Sequence, residues 1–150
     1  MSQYKVTLLW TGGTADFTYK TYSRTHIWTF GGGNSVEASA APEYLGKAEL
    51  VNPEEAFAAS LSSCHLLTFL ALAAFQKFTV ERYEDQAVAE VGKNTAGKMA
   101  VLQVILNPKI TFSGEKQPTS EQLEALHHKA HTDCFISNSV SAEVIVKPVI

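Results

Sequence analysis

The chain has 150 residues, of which 45% are hydrophobic and 18% are charged, and its formal net charge is -3. This length allows one domain with a sizeable core, and the composition is that of a globular protein rather than a disordered segment. The small negative charge and the lack of a basic run argue against a nucleic-acid-binding surface. The N-terminus does not look like a signal peptide, and polar residues interrupt the longest apolar stretch. We therefore expect a cytoplasmic protein that is not inserted in a membrane.

The N-terminal third predicts three short strands with glycine turns between them. Residues 3–10, 17–22 and 26–30 are rich in β-formers, and the glycine run at 31–34 closes the third strand. Such a series is typical of an antiparallel meander. Residues 36–50 show little periodicity and contain several small residues, so they predict a surface connection.

A long apolar helix is predicted from Pro53 to about residue 77. Asn52 is a good N-cap, Pro53 suits the first helical position, and Glu55 completes a capping box with Asn52. From residue 56 to residue 75 almost every side chain is apolar or small. A helix that is apolar on all sides must be buried.

The second half predicts a long hairpin, a second helix and a final strand. Residues 80–91 and 99–112 form the hairpin, with a bend at Asn107-Pro108. The remaining elements are a helix at 120–131 capped by Thr119 or Ser120, a short helical turn at 134–138, and a strand at 141–149. Strands, helix, strands, helix and strand in this order indicate one α+β domain with helices packed on an antiparallel sheet.

The length of the first helix also predicts a second chain. From Pro53 to residue 77 it extends roughly 35 Å at 1.5 Å per residue. A compact domain of this size is only about 40 Å across, so the helix crosses all of it. One sheet cannot cover a helix that is apolar on every side, and we therefore expect an obligate homodimer with this helix near the interface.

The chain contains two cysteines, Cys64 within the long helix and Cys134 after the second helix. Either one alone is most simply a small buried hydrophobe. In a reducing compartment, however, two cysteines are more often catalytic, metal-binding or inert than joined in a structural disulfide. Cys134 opens a short turn, where a helix N-terminus can stabilise a thiolate.

Three segments resemble motifs of the OsmC/Ohr family. Residues 52–55 (Asn-Pro-Glu-Glu), followed by an Ala/Ser-rich run to Cys64, and residues 134–139 (Cys-Phe-Ile-Ser-Asn-Ser) are similar to its two cysteine motifs. Residues 22–26 and the glycine turn after them are similar to the N-terminal part of its OsmC-like members. The resemblance covers essentially the whole chain, although Phe135 stands where the family usually has proline.

The resemblance implies an α+β homodimer with intertwined subunits, active sites at the subunit interface, and thiol-dependent reduction of organic hydroperoxides. Cys64 matches the cysteine that attacks the peroxide, and Cys134 matches the cysteine that resolves it as a disulfide. Arg24 and Glu54 match the charged pair that activates the thiol. The implied reductant is a dithiol such as a lipoylated protein, and the scheme needs neither a cofactor nor a metal.

Elementary chemistry is compatible with these roles. A free thiol is only a few per cent thiolate at pH 7, and burial reduces that fraction further. A cation beside Cys64 would therefore help, and Arg24, oriented by Glu54, could also donate to the peroxide oxygens. We expect an apolar pocket that favours alkyl hydroperoxides, formed by Phe57, Leu61, Phe69 and their neighbours.

Helix geometry limits how Glu54 can act. It precedes Cys64 by ten residues, which is about 15 Å along an unbroken helix. Either the helix bends near residues 60–63 or the Glu54 near a given Cys64 belongs to the partner subunit, and we favour the partner.

Two alternatives are open. His127, His131 and Cys134 share one helical face and could bind a metal together with Cys64. The chain could also be an OsmC-like protein that binds a small apolar ligand without peroxidase activity. His65 lies about 100° around the helix from Cys64, so we expect it to have a structural role.

Overall fold

The computed structural model describes residues 1–12 and 16–150. The chain divides into two compact units, Met1–Ala56 and Phe57–Ile150. Each unit is described by itself below. The α+β class predicted from the sequence is confirmed, with antiparallel strand pairs and one long helix.

The first unit contains a three-stranded antiparallel meander. Its strands are β1 (Val6–Leu9), β2 (His26–Phe30) and β3 (Ser35–Ala38), in the order β1-β2-β3. The turn from β2 to β3 closes where the Phe30 N–H donates to the Asn34 carbonyl at 2.8 Å. Gly33 has a φ of 91° in this turn, a conformation that glycine adopts without strain.

Two sequence predictions are wrong in this unit. Residues 17–22 form no strand, because the N–H groups of Thr21 and Tyr22 both donate to the Thr18 carbonyl and fold the chain into a turn. The segment 36–50 is not merely a surface connection, since it begins in β3 and buries Ala38 and Ser39. The Ser39 N–H donates to the Val51 carbonyl at 2.8 Å, which ties the segment down.

Helix α1 (Pro53–Phe75) begins with the predicted capping box. The Glu55 N–H donates to Asn52 Oδ1 at 2.9 Å, and the Asn52 N–H donates to Glu55 Oε2 at 3.2 Å. The helix runs without a break and ends just before the predicted residue 77, where Lys77 takes a φ of 65°.

Only one stripe of α1 is buried within the chain. Its buried members are Ala58, Leu61, His65, Phe69 and Ala73. By contrast, Leu67 is 63% exposed and Phe75 is 81% exposed. The predicted burial on all sides is therefore not achieved by one chain. Helix α1 is long and apolar enough to cross a membrane, but the core helix of a water-soluble protein meets the same criteria of length and composition.

The predicted hairpin is present in the second unit, but it is divided into two ladders. Strands β4 (Thr79–Asp85) and β7 (Pro108–Ser113) form one antiparallel pair. Between them in the chain, β5 (Val88–Lys93) and β6 (Met99–Leu106) form the other. The predicted bend at Asn107-Pro108 is confirmed, whereas the single strand predicted over 80–91 is interrupted.

The break is stabilised by Asp85 and Asn107. Asp85 Oδ1 accepts the Asn107 N–H at 2.6 Å, and Asn107 Nδ2 donates to the Gln86 carbonyl at 2.9 Å. Asp85 also accepts a hydrogen bond from the Ser62 hydroxyl on α1. These side chains form hydrogen bonds with main-chain groups that would have been paired within a continuous strand ladder.

Helix α2 (Ser120–Asp133) starts at Thr119, which forms a second capping box with Gln122. After it, a 3₁₀ turn (Ser137–Ser139) leads to β8 (Glu143–Val146). Strand β8 pairs parallel to β6, so the sheet β5-β6-β8 is mixed rather than wholly antiparallel as predicted.

Two apolar cores hold the second unit together. One core joins α1 to α2 and to the β4–β7 pair, and its buried members are Phe69, Ala73, Phe78, Leu126 and Ala130. The other core joins α1 to β6, and its buried members are Ala58, Leu61, Val104 and Leu106. Both helices are thereby fixed against the strands by side-chain packing.

Candidate active site

The two cysteine thiols are neighbours in the second unit. Cys64 lies near the middle of α1 and is half-buried, whereas Cys134 follows the last residue of α2 and is 1% exposed. Both are free thiols. Burial raises the pKa of Cys134 to about 11, and a hydrogen bond with the Cys64 thiol contributes to the rise.

The two thiols differ in exposure. A small molecule arriving from solvent can reach a half-buried sulfur more readily than one that is enclosed. Cys134, with its raised pKa, is held as a protonated thiol at neutral pH. The pair therefore has one accessible sulfur and one protected sulfur within reach of it.

Main-chain donors partly offset the burial of Cys134. The Ser137 N–H donates to Cys134 Sγ at 3.4 Å. Together with the N–H of Ile136, it acts to lower the pKa that burial raises. The turn after α2 therefore supplies main-chain hydrogen-bond donors, which stabilise a thiolate at Cys134.

A buried histidine pair lies next to the thiol-bearing part of α1. His65 Nε2 and His127 Nδ1 share a hydrogen bond of 3.1 Å, and the rings stack with their centroids 5.4 Å apart. Desolvation lowers the pKa of each to about 4, and the charge of His131 acts in the same direction on His65. The position of His65 fits the structural role expected from the sequence.

The metal-site alternative finds no support in the parts of the chain at 1–12 and 16–150. No group of three or more His, Cys, Asp or Glu side chains is arranged there to bind a metal ion. The ring of His127 turns to His65, and His131 Nδ1 is hydrogen-bonded to the Ser137 hydroxyl at 3.3 Å. These contacts engage Nδ1 of each of the two candidate histidines, while His127 Nε2 has no hydrogen-bond partner among the described residues.

Arg24 lies in the first unit and is fixed by its neighbours on the chain. Its guanidinium donates to the carbonyl of Tyr22 at 2.7 Å and to the carbonyl of Tyr19. It also stacks over the Tyr22 ring at 3.7 Å from the centroid. The Tyr22 ring in turn stacks on Phe17 with centroids 5.0 Å apart. Among the described residues, no further hydrogen bond from the guanidinium is present, and it carries other N–H groups.

Arg24 and Glu54 line the same cavity in the first unit. The cavity has a volume of about 480 Å³ and aromatic walls that include Trp10, Phe17 and Tyr22. Glu54 reaches it from the first turn of α1. Among the described residues, no ion pair joins the two side chains. The cavity thus combines one cationic group, one carboxylate and an apolar surface.

The residues predicted to form the apolar pocket need a correction. Leu61 and Phe69 are fully buried in the two cores, so they cannot line an open pocket, and Phe57 packs against one of these cores. The aromatic walls around Arg24 were missed. A signal was available in the sequence, because Tyr19 and Tyr22 precede Arg24 by five and two residues.

Comparisons with known proteins agree on one family. The family model of OsmC-like proteins matches residues 46–148. An OsmC-like protein of unknown function from Vibrio cholerae is 46% identical, with a TM-score of 0.96, over 99% of this chain and 100% of that one. No curated protein sequence matches the chain.

More distant structures share the fold. An organic hydroperoxide resistance protein from Elizabethkingia anophelis is 23% identical with a TM-score of 0.72, over 99% of this chain and 94% of that one. The organic hydroperoxide resistance protein OhrB of Bacillus subtilis is 19% identical with a TM-score of 0.71, over 99% of this chain and 98% of that one.

Proposed function

Because the chain belongs to the OsmC/Ohr family, we propose that it is a cysteine-based peroxidase that reduces organic hydroperoxides to alcohols. The observation that carries the proposal is the pair of adjacent free thiols, one half-buried and one enclosed. A structural role would need only buried cysteines. A thiol peroxidase needs one accessible sulfur with a second sulfur close by.

In the first step, the Cys64 thiolate attacks the distal oxygen of the hydroperoxide. The O–O bond breaks, the alkoxide takes up a proton and leaves as the alcohol, and Cys64 becomes a sulfenic acid. In the second step, Cys134 sulfur attacks the Cys64 sulfur. The S–O bond breaks, and the departing hydroxide takes the Cys134 proton to form water. A dithiol, for example on a lipoylated protein, then reduces the disulfide in the cytoplasm.

Arg24 is assigned to the first step, with Glu54 as the carboxylate that orients it. A guanidinium stays charged at any physiological pH and can both stabilise a thiolate and donate to the peroxide oxygens. Support comes from the cavity that both residues line and from the guanidinium N–H groups that make no hydrogen bond to residues 1–12 or 16–150. The aromatic walls of this cavity suit an alkyl or aryl hydroperoxide better than hydrogen peroxide.

The proposed enzyme is a homodimer in which Cys64 of one chain meets Glu54 of the partner subunit. The exposed apolar side chains of α1, above all Leu67 and Phe75, support this assembly because a stable monomer rarely leaves such a face uncovered. Light scattering should give twice the chain mass for the wild type. Leu67→Glu should shift the mass towards the monomer, and a wild-type monomer at all concentrations would contradict the assembly.

The chemistry is tested by mass spectrometry after one equivalent of cumene hydroperoxide. The wild type should lose both thiols to a Cys64–Cys134 disulfide, and Cys134→Ser should accumulate a sulfenic acid on Cys64. Cys64→Ser should leave Cys134 as a thiol. Thiols that stay unreacted in the wild type would end the peroxidase proposal. Faster oxidation by hydrogen peroxide than by cumene hydroperoxide would overturn the proposed substrate class alone.

A further inference from the structure

The second chemical step makes a demand that the first does not. Cys134 must act as a nucleophile although it is 1% exposed and burial raises its pKa to about 11. Water cannot reach the sulfur to stabilise the developing thiolate. The stabilising groups must therefore come from the protein, and they must already be in place when the sulfenic acid forms.

The turn after α2 carries such a group. The Ser137 N–H donates to Cys134 Sγ at 3.4 Å. The main chain of the turn is also closed by two hydrogen bonds, from the Asn138 N–H to the Cys134 carbonyl at 3.0 Å and from the Ser139 N–H to the Ile136 carbonyl at 2.9 Å. These bonds fix the path of the chain, but neither involves the Ser137 N–H.

A second contact holds the side chain of Ser137. The Ser137 hydroxyl and His131 Nδ1 are 3.3 Å apart. His131 lies on the last turn of α2, three residues before Cys134, and the ring is half-buried. The same helix thus carries the sulfur at its end and the ring that holds the residue facing the sulfur.

We propose that His131 is a positioning residue for the resolving step, in which its ring holds the Ser137 hydroxyl so that the Ser137 N–H stays directed at Cys134 Sγ. The inference rests on the peroxidase function proposed above. His131 touches neither reacting sulfur in this scheme. Its contribution is to the nucleophile of the second step, and the attack of Cys64 on the peroxide does not depend on it.

The step that His131 assists is the condensation of the two sulfurs. Cys134 gives up its proton and forms the S–S bond, while the Cys64 S–O bond breaks and the hydroxide leaves with that proton as water. The electron pair of the new S–S bond comes from the Cys134 sulfur, so Cys134 is oxidised and Cys64 is reduced. A slower condensation leaves the sulfenic acid exposed to a second peroxide, which converts it to the sulfinic acid.

Rapid-quench mass spectrometry of the full-length protein measures the two steps separately. After one equivalent of cumene hydroperoxide, His131→Phe should form the sulfenic acid at the wild-type rate and the disulfide about fivefold more slowly, the effect of one neutral hydrogen bond. With excess peroxide it should accumulate sulfinic acid. His128→Phe is the matched control, because His128 is exposed on the same helix, and it should behave as the wild type.

Two more variants separate positioning from folding. Ser137→Ala should slow the disulfide to the same extent, and His131→Phe combined with Ser137→Ala should be no slower than either alone. His131→Asn keeps a side chain that can bond the hydroxyl and should recover most of the rate. Additive losses, or a wild-type disulfide rate in both single variants, would overturn the inference. A wild type with unreactive thiols would instead overturn the peroxidase function.

Discussion

In the second unit, Cys134 follows a helix whose Leu126 and Ala130 are enclosed in a core with Phe69. In the first unit, Arg24 is held by two main-chain carbonyls and a tyrosine ring, and the sheet beside it exposes much of its apolar surface. The thiols thus depend on packing over a whole unit, whereas the guanidinium depends on a few contacts from its own neighbours in sequence.

This difference separates two kinds of mutational effect. Where a site is positioned by a packed core, a substitution in that core should first lower the stability of the protein, because it disturbs the packing of every core residue. Where geometry comes from local hydrogen bonds on a partly exposed loop, damage should appear as lost activity in a folded protein. Variants in the two units should therefore fall into different classes, and Phe69→Ala and Arg24→Met test that division directly.

The largest expected effect is that of Phe69→Ala in the second unit. Phe69 is fully buried and packs against the rings of Tyr83, Phe112 and His127. Truncation should lower the free energy of unfolding by about 3–5 kcal/mol, measured by urea denaturation. Met99→Ala at an exposed site of the same unit should stay within about 0.5 kcal/mol. Equal losses in the two variants would contradict the packing account.

Arg24→Met should show the opposite behaviour. Its kcat/KM for cumene hydroperoxide should fall about 100-fold, as for removal of one preorganised charged donor, while the urea midpoint changes little. Arg82→Met is the control, because Arg82 is an exposed arginine paired with Glu84, and its activity should be unchanged. A folded Arg24→Met enzyme with full activity would remove Arg24 from the proposed mechanism.

Local signals in the sequence were sufficient for the helix starts. Asn52 with Glu55 and Thr119 with Gln122 form their capping boxes within four residues, so no distant contact is needed to predict them. The sequence indicates the division of the hairpin on only one of its two strands. Asn107-Pro108 marks the break there. On the other strand the apolar pattern continues through residues 86–87, and the strand is interrupted because Asp85 bonds to a residue distant in sequence.

The errors around the site have two origins. Leu61 and Phe69 were expected to line a pocket, since a helical pattern shows that a side chain is apolar but not whether it faces a core or a cavity. The strand predicted over 17–22 failed because hydrogen bonds from Thr21 and Tyr22 to Thr18 favour a turn. That turn brings Tyr22 under Arg24, a local side-chain arrangement that strand propensity does not encode.

The His65–His127 pair predicts a pH dependence of stability for the second unit. Both pKa values are lowered to about 4, below the ~6.5 of histidine in the unfolded chain. Between these values the unfolded state binds more protons, so stability should fall as the pH drops from about 6.5 towards 4. The loss by pH 5 should be on the order of 2 kcal/mol for each of the two rings, measured by urea denaturation.

The matched variant for this prediction is His127→Phe, which removes one of the two titrating rings and keeps a planar group against Phe69. Its stability should depend less steeply on pH between 6.5 and 5 than that of the wild type. His128→Phe, on the exposed side of the same helix, should leave the slope unchanged. An identical slope in the wild type and in His127→Phe would show that the buried pair does not cause the dependence.

The smallest expected effect distinguishes the two capping boxes. Asn52→Ala and Thr119→Ala should each cost about 1 kcal/mol of stability, because each leaves orphan N–H groups at a helix start. Of the two boxes, only the Asn52 box encloses a residue that lines the cavity, because Glu54 lies between Asn52 and Glu55 in the first turn of α1. Asn52→Ala should therefore also lower kcat/KM a few-fold, whereas Thr119→Ala should not. Equal kcat/KM values for the two variants would mean that the orientation of Glu54 does not depend on the cap, and that the cavity is fixed by the turn around Arg24 alone.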